Sequence, residues 1–248
     1  MIRFIIFCQA RSGSTLLRRS LHEHPEIICH GEILSRKWIN GLVPTDFPER
    51  VASPKHQVVQ LLDSRNTCLE KFFDTHVWNF ESKAIGFKVV LEDLFLSEHQ
   101  NRIFTYLDSF AFKPIILFRQ NQLKSFISRR LMAQQRITHS VDQGVIEKNI
   151  MADPISIAPG ELKGFIRTQR TFLRDLKERY PDSLVMSYEH IKEDYPSLLE
   201  FIGATRQPMV EKTKKLQTRS TQSIVENIQS LEDIPHIIKP EDLHSIGK

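Results

Sequence analysis

The stretch FCQARSGSTLLRRSLHEHPEI, from Phe7 to Ile27, decides the fold. It leaves a nearly continuous apolar run, Ile2–Cys8, of the kind a strand buried on both faces requires. It then crosses a short polar loop and continues with helical spacing over Ser14–His24, where Pro25 stops it. A strand, a tight loop and a helix in this order present unpaired backbone N–H groups and the positive helix end to an anion. Gly13 lets the backbone approach a ligand, and Ser12, Ser14 and Thr15 add hydroxyl donors. Arg11 offers a planar fork to tetrahedral oxygens. The lysine of a GxxxxGK[ST] loop is missing, and no strand ends in an acidic residue suited to Mg²⁺ unless Glu92 or Asp93 serves. A donor group transferred without a metal fits such a loop better than a nucleoside triphosphate does.

Outward from this stretch, strand-like and helix-like segments alternate. Ile27–Cys29, Ala84–Val90, Pro114–Phe118 and Leu184–Tyr188 read as further strands. Val58, Leu62, Leu69, Phe72 and Phe73 form one apolar stripe at helical spacing. Leu162, Phe165, Ile166, Phe172, Leu173 and Leu176 form another. Asn121 to about Gln135 reads as a helix, and Tyr195, Leu198, Leu199 and Ile202 mark the last one. The pattern predicts an α/β fold, a P-loop-like doubly wound parallel sheet flanked by helices, in a single domain over residues 1–248. Such sheets bind ligands at the carboxyl ends of their strands. Four polar clusters follow strands: Arg11–Thr15, His30–Glu32, Arg119–Ser128 and Tyr188–Glu189. Gly41–Pro54 and Ser140–Pro159, polar and proline-containing, read as surface loops that could cover an acceptor site.

A second anion pocket is suggested by IILFRQNQLKSFISRR, Ile115–Arg130. Arg119 ends a strand there, and Asn121, Ser125 and Ser128 share one helix face. The competing reading gives Arg119 to a surface carboxylate and leaves the serines solvated.

Composition narrows the partners. Hydrophobic residues make up 40% and charged residues 26%, ordinary for a soluble globular chain. The excess of 34 Lys and Arg over 30 Asp and Glu, a net charge of +4, suits a small anionic ligand better than a nucleic acid, which calls for a dense basic stripe. Cys8, Cys29 and Cys68 form no paired framework and no zinc motif, so they read as reduced thiols, the first two in buried strands. A first strand beginning at Ile2 leaves no room for a signal peptide, and no apolar run approaches a membrane span. The expected location is cytoplasmic.

ARSGSTLLRRSLHEHPEI, HGEIL, GFKVV, LFRQNQLKSFIS and SYEHIKEDYPSLLEFIG occur in this order. Together they resemble the sulfotransferases that use 3′-phosphoadenosine 5′-phosphosulfate (PAPS), above all bacterial carbohydrate and lipid sulfotransferases, from Ile2 to about Gly203. The resemblance implies that Arg11, Ser12, Gly13, Ser14, Thr15 and Leu16 hold the 5′-phosphosulfate. It gives the 3′-phosphate to Arg119 and Ser128, with Ser125 competing for the second role. It sets Tyr188 near the adenine and assigns a closing basic residue to Lys214, Lys215 or Arg219. It implies PAPS as donor, adenosine 3′,5′-bisphosphate as product, no metal, and a small-molecule hydroxyl acceptor; it leaves a homodimer open. Related enzymes carry a glutamate base after the second strand, which HGE resembles at Glu32; His30 is the rival base. Lys88, in GFKVV, is expected either to support the sulfuryl oxygens or to sit as an edge lysine. The alternatives are a P-loop kinase acting on a small metabolite and a catalytically silent nucleotide-binding module.

Overall fold

The structure is a computed structural model that describes residues 1–35, 39–42, 55–95, 100–135 and 156–210. Five parallel strands form one sheet: β1 (Ile2–Cys8), β2 (Ile27–His30), β3 (Ala84–Val90), β4 (Lys113–Phe118) and β5 (Leu184–Ser187), in the order β2-β3-β1-β4-β5. β1 lies between β3 and β4, with Ile6 opposite Lys88 on one side and Ile115 on the other. Its position explains its sequence: a central parallel strand is covered on both faces, so the apolar run does not alternate. The α/β parallel-sheet class expected from the sequence is the one observed.

The helices are α1 (Ser14–His22), α2 (Lys55–Thr67), α3 (Leu69–His76), α4 (Leu91–Phe95), α5 (Gln100–Asp108), α6 (Gln122–Gln135), α7 (Pro159–Arg179) and α8 (Ile191–Phe201). The stripe read from Val58 to Phe73 is carried by two helices, because Cys68 adopts an extended conformation and caps α3. β5 ends one residue earlier than the apolar pattern, and Tyr188 opens a 3₁₀ turn, Tyr188–His190. β2 runs one residue further and takes in His30.

By internal packing the described chain divides into two compact units, residues 1–118 with 176–210 and residues 119–135 with 156–175. The first holds the whole sheet. On one face, Phe4, Ile6 and Cys8 of β1 pack with Leu17 and Leu21 of α1 and with Tyr195, Leu198 and Leu199 of α8. On the other face Phe7 stacks on Tyr180 at 5.3 Å, and Phe73 of α3 meets Phe87 of β3 at 5.2 Å and Tyr106 of α5 at 4.7 Å. In the second unit α6 opens with Asn121, whose side-chain oxygen accepts the Lys124 N–H at 2.8 Å, a standard N-cap bond. Within that unit Phe126 packs on Phe165 at 5.2 Å, and Arg130 pairs with Glu161 at 2.7 Å.

Candidate active site at the strand ends

The loop between β1 and α1 is held by its own backbone. The Ser12 N–H and hydroxyl both donate to the Gln9 carbonyl, at 3.3 and 2.7 Å, and the Gln9 N–H donates to the Leu117 carbonyl at 3.3 Å. The Ala10 N–H donates to a Glu92 carboxylate oxygen at 3.4 Å. These bonds turn the chain so sharply that Arg11 takes φ 66° and Gly13 φ 77°. The left-handed conformation suits glycine but costs an arginine roughly 1–2 kcal/mol, a strain of the sort that gathers at ligand sites. The N–H groups of Gly13, Ser14 and Leu16 meet no acceptor among the described residues, as the first turn of a helix dictates. The loop thus commits the N–H groups of Ala10 and Ser12 to the protein ahead of the helix end.

Gly13 has a second constraint. A Cβ there would lie 2.2 Å from Cδ2 of Tyr188, so the tyrosine ring rests directly on the loop. The sequence placed Tyr188 after the last strand, and parallel order brings that strand end to the same end of the sheet as the loop.

Lys88 links the loop to Glu32. Strand residues alternate faces, and Ala84 and Val90 pack with the α1 core, so Lys88 shares their face. Its ammonium donates to the Thr15 hydroxyl at 3.2 Å and pairs with the Glu32 carboxylate at 2.8 Å. Lys88 is 5% exposed, whereas the Glu32 carboxylate stays open to solvent on part of its surface. Of the two expectations for this lysine, the edge position does not hold: β3 lies between β2 and β1.

His30 takes the opposite face. It lies beside Phe87 in the β2–β3 register, and its fully buried ring donates Nε2–H to the Val77 carbonyl at 3.1 Å. Burial pushes its pKa down to about 4, against the opposing pull of the Val77 carbonyl and with smaller repulsion from Arg18 and His22. The structure brings Glu32, and not His30, to Lys88 and the loop.

The segment carrying Glu32 is fastened from several sides. The Gly31 N–H donates to Gly41 at 2.8 Å, and the Asn40 N–H donates to the Glu32 carbonyl at 3.3 Å. Buried Arg18 of α1 donates to the Cys29 carbonyl at 3.0 Å and the Gly41 carbonyl at 3.3 Å. Sequence reasoning did not single out Arg18. Its signal was an arginine on the Ser14–Leu17–Leu21 face of α1, where a surface helix keeps apolar residues.

Cys8 and Cys29 are buried, and burial pushes each thiol up to about 12, partly offset at Cys8 by Lys88 and at Cys29 by Arg18. Neither supplies a nucleophile at neutral pH.

In the second unit Ser125 is buried and donates its N–H to the Asn121 carbonyl at 3.2 Å, while Ser128 and Arg119 are half-buried. The Gln122 amide donates to the Arg119 carbonyl. Lys214, Lys215 and Arg219 lie outside the described residues, as do most of Gly41–Pro54 and Ser140–Pro159. Among the described residues no group of three or more His, Cys, Asp or Glu could hold a metal ion, and no helix is long and apolar enough to cross a membrane.

Fold and site together define a parallel α/β protein with a glycine-containing strand–loop–helix turn and a lysine-tethered carboxylate at the strand ends. Among solved structures the chain is similar to a sulfotransferase from Alicyclobacillus acidocaldarius, at 17% identity over 95% of this chain and 96% of that one, with a TM-score of 0.46. No family model matches the chain, and no curated protein matches it in sequence.

Proposed function

We propose that this chain is a PAPS-dependent sulfotransferase, one domain over residues 1–248, moving the sulfuryl group to a hydroxyl of a carbohydrate, glycolipid or other small molecule. The observation that carries the reading is the contact series Thr15–Lys88–Glu32, which sets a carboxylate one lysine away from an anion loop. The donor set fits the proposed ligand: open amides at Gly13, Ser14 and Leu16 and the hydroxyl of Thr15 suit phosphosulfate oxygens, and the Tyr188 ring on Gly13 offers a flat surface to a base.

PAPS, when bound, supplies a sulfuryl group already activated on a phosphate leaving group. The chain's own work is then electrostatic and prototropic. The loop amides and Arg11 meet the charge that grows on the leaving oxygen. Lys88 faces the transferred group's oxygens while holding Glu32 by the same ammonium. Glu32 takes the proton of the acceptor hydroxyl at a carboxylate oxygen, the role the sequence resemblance gives it. Arg119 and Ser128 take the 3′-phosphate; Ser128 is favoured over Ser125 because Ser125 is 1% exposed. A cytoplasmic setting with reduced thiols completes the reading.

Titration calorimetry of adenosine 3′,5′-bisphosphate and adenosine 5′-monophosphate tests the donor assignment. Hydrogen bonds to a charged group contribute roughly 1.5–3 kcal/mol, so Arg119→Ala should weaken the bisphosphate roughly ten- to a hundredfold and barely alter the monophosphate. Equal losses for both nucleotides would remove the 3′-phosphate role. Binding of ATP with Mg²⁺ in preference to the bisphosphate would move the reading to a kinase. Bisphosphate binding with no transfer to any hydroxyl acceptor would leave a silent nucleotide-binding module.

A further inference from the structure

We propose that Arg65 of α2 is the positioning residue that fixes Glu32 against Lys88, an inference that rests on the sulfotransferase reading for its catalytic consequence but not for its structural one. Arg65 is 6% exposed. Its Nη1 donates to the Ile33 carbonyl at 2.9 Å and the Ser35 carbonyl at 2.7 Å, the two carbonyls flanking the turn just after Glu32. Its Nε and Nη2 donate to the Asn66 side-chain oxygen at 3.2 and 3.1 Å, which locks the guanidinium plane. Every one of these acceptors is neutral. Burial lowers the pKa of the guanidinium, opposed only by the field of Asp93.

A buried cation whose hydrogen bonds all go to neutral acceptors is an expensive way to fill a core position that a leucine would fill. What a leucine could not do is grip two carbonyls of a loop from a helix. Nη1 alone donates to both carbonyls, while Nε and Nη2 on the Asn66 oxygen fix the plane in which it points.

The grip also extends a series of contacts at the strand ends. Arg65 holds Ile33 and Ser35, which follow Glu32; Glu32 pairs with Lys88, and Lys88 donates to Thr15 at the start of α1. Every other backbone tie on the Glu32 segment described above falls on Cys29, Gly31 or Glu32 itself, from Arg18 or from the Asn40–Gly41 loop segment. Arg65 is the tie on the forward side among the described residues.

Two readouts test this. In the first, exchange of the Lys88 ammonium protons with solvent is followed by nitrogen-15 NMR, which needs no substrate. Arg65→Met should raise that exchange about tenfold as Glu32 drifts from Lys88, and Arg65→Lys, which keeps the charge but not the fork, should behave like Arg65→Met. Unchanged exchange in a folded Arg65→Met protein overturns the proposal, as does full restoration by lysine. The second readout is a double-mutant cycle on transfer from PAPS. Arg65→Met should lower kcat about tenfold with the donor KM unchanged, and should have no further effect in a Glu32→Gln background. An equal further loss in that background would mean that Arg65 acts on the fold at large, and would overturn the positioning role. Lys88 protons protected in wild type and exposed in Arg65→Met, with no transfer from PAPS by the wild type, would count against the sulfotransferase reading while upholding the Arg65–Glu32 link.

Discussion

Lys88 and His30 sit on neighbouring strands, within one register position of each other, and both are buried; yet the sheet sends them to different surroundings. Lys88 shares a face with α1 and meets a hydroxyl and a carboxylate. His30 lies opposite Phe87 and meets the Val77 carbonyl and, at 5.9 Å, the Phe80 ring. One residue of offset on a strand changes the face, and with it the chemistry. A buried polar residue near a site is thus not part of it until its face is known.

The largest expected effect tests the polar face. Glu32→Gln should keep affinity for adenosine 3′,5′-bisphosphate and lose roughly 10²–10⁴ in turnover, the usual share of general base catalysis. Full turnover in Glu32→Gln, with a matching loss in His30→Gln, would invert the contrast between the two faces.

The next effect belongs to the aromatic face and appears in stability. His30 has a folded pKa of about 4 against an ordinary value of 6.5. A depressed histidine contributes stability that is fully present above about 6.5 and is lost as pH falls through about 4, because the unfolded chain binds the proton first. The span corresponds to about 3 kcal/mol. Chemical denaturation between pH 7 and 4 should show His30→Gln, which can still donate to Val77, losing less stability than wild type over that window. Parallel pH profiles would mean His30 is not held neutral in the native state.

The smallest expected effect concerns the lysine itself. Lys88→Met should weaken bisphosphate binding about tenfold, by loss of one charge-assisted hydrogen bond near the loop, as read by calorimetry. Unaltered affinity would confine Lys88 to holding Glu32.

Much of the contrast could be read in the sequence, but not its sides. The strands announced themselves because IRFIIFC and AIGFKVV are apolar enough to be buried on both faces. That same lack of alternation hid which residues point where, so His30 stayed a rival to Glu32 in HGE although a lone histidine is more often structural. The loop was visible because Gly13 and its hydroxyl neighbours are rare companions at a strand end. Arg18 and Arg65 were not, because an arginine on an apolar helix face gives no motif, only a break in a pattern. The carbonyls they hold come from distant segments: Arg65 reaches back to Ile33 and Ser35 from a helix that begins at Lys55. The break at Cys68 was invisible because both halves of the stripe keep helical spacing across it.

The strand order has a consequence during synthesis. β1 is flanked by β3, which begins at Ala84, and β4, which begins at Lys113, while the nearest strand in the chain, β2, pairs with β3 instead. At about 5–20 residues per second, the ribosome releases IRFIIFC several seconds before either flank exists. For that time its most apolar strand has both edges bare, and such a segment adheres to copies of itself. The nascent chain is therefore expected to depend on chaperones early, and a variant that breaks the run with a charge would emerge more safely and then fail to assemble its sheet.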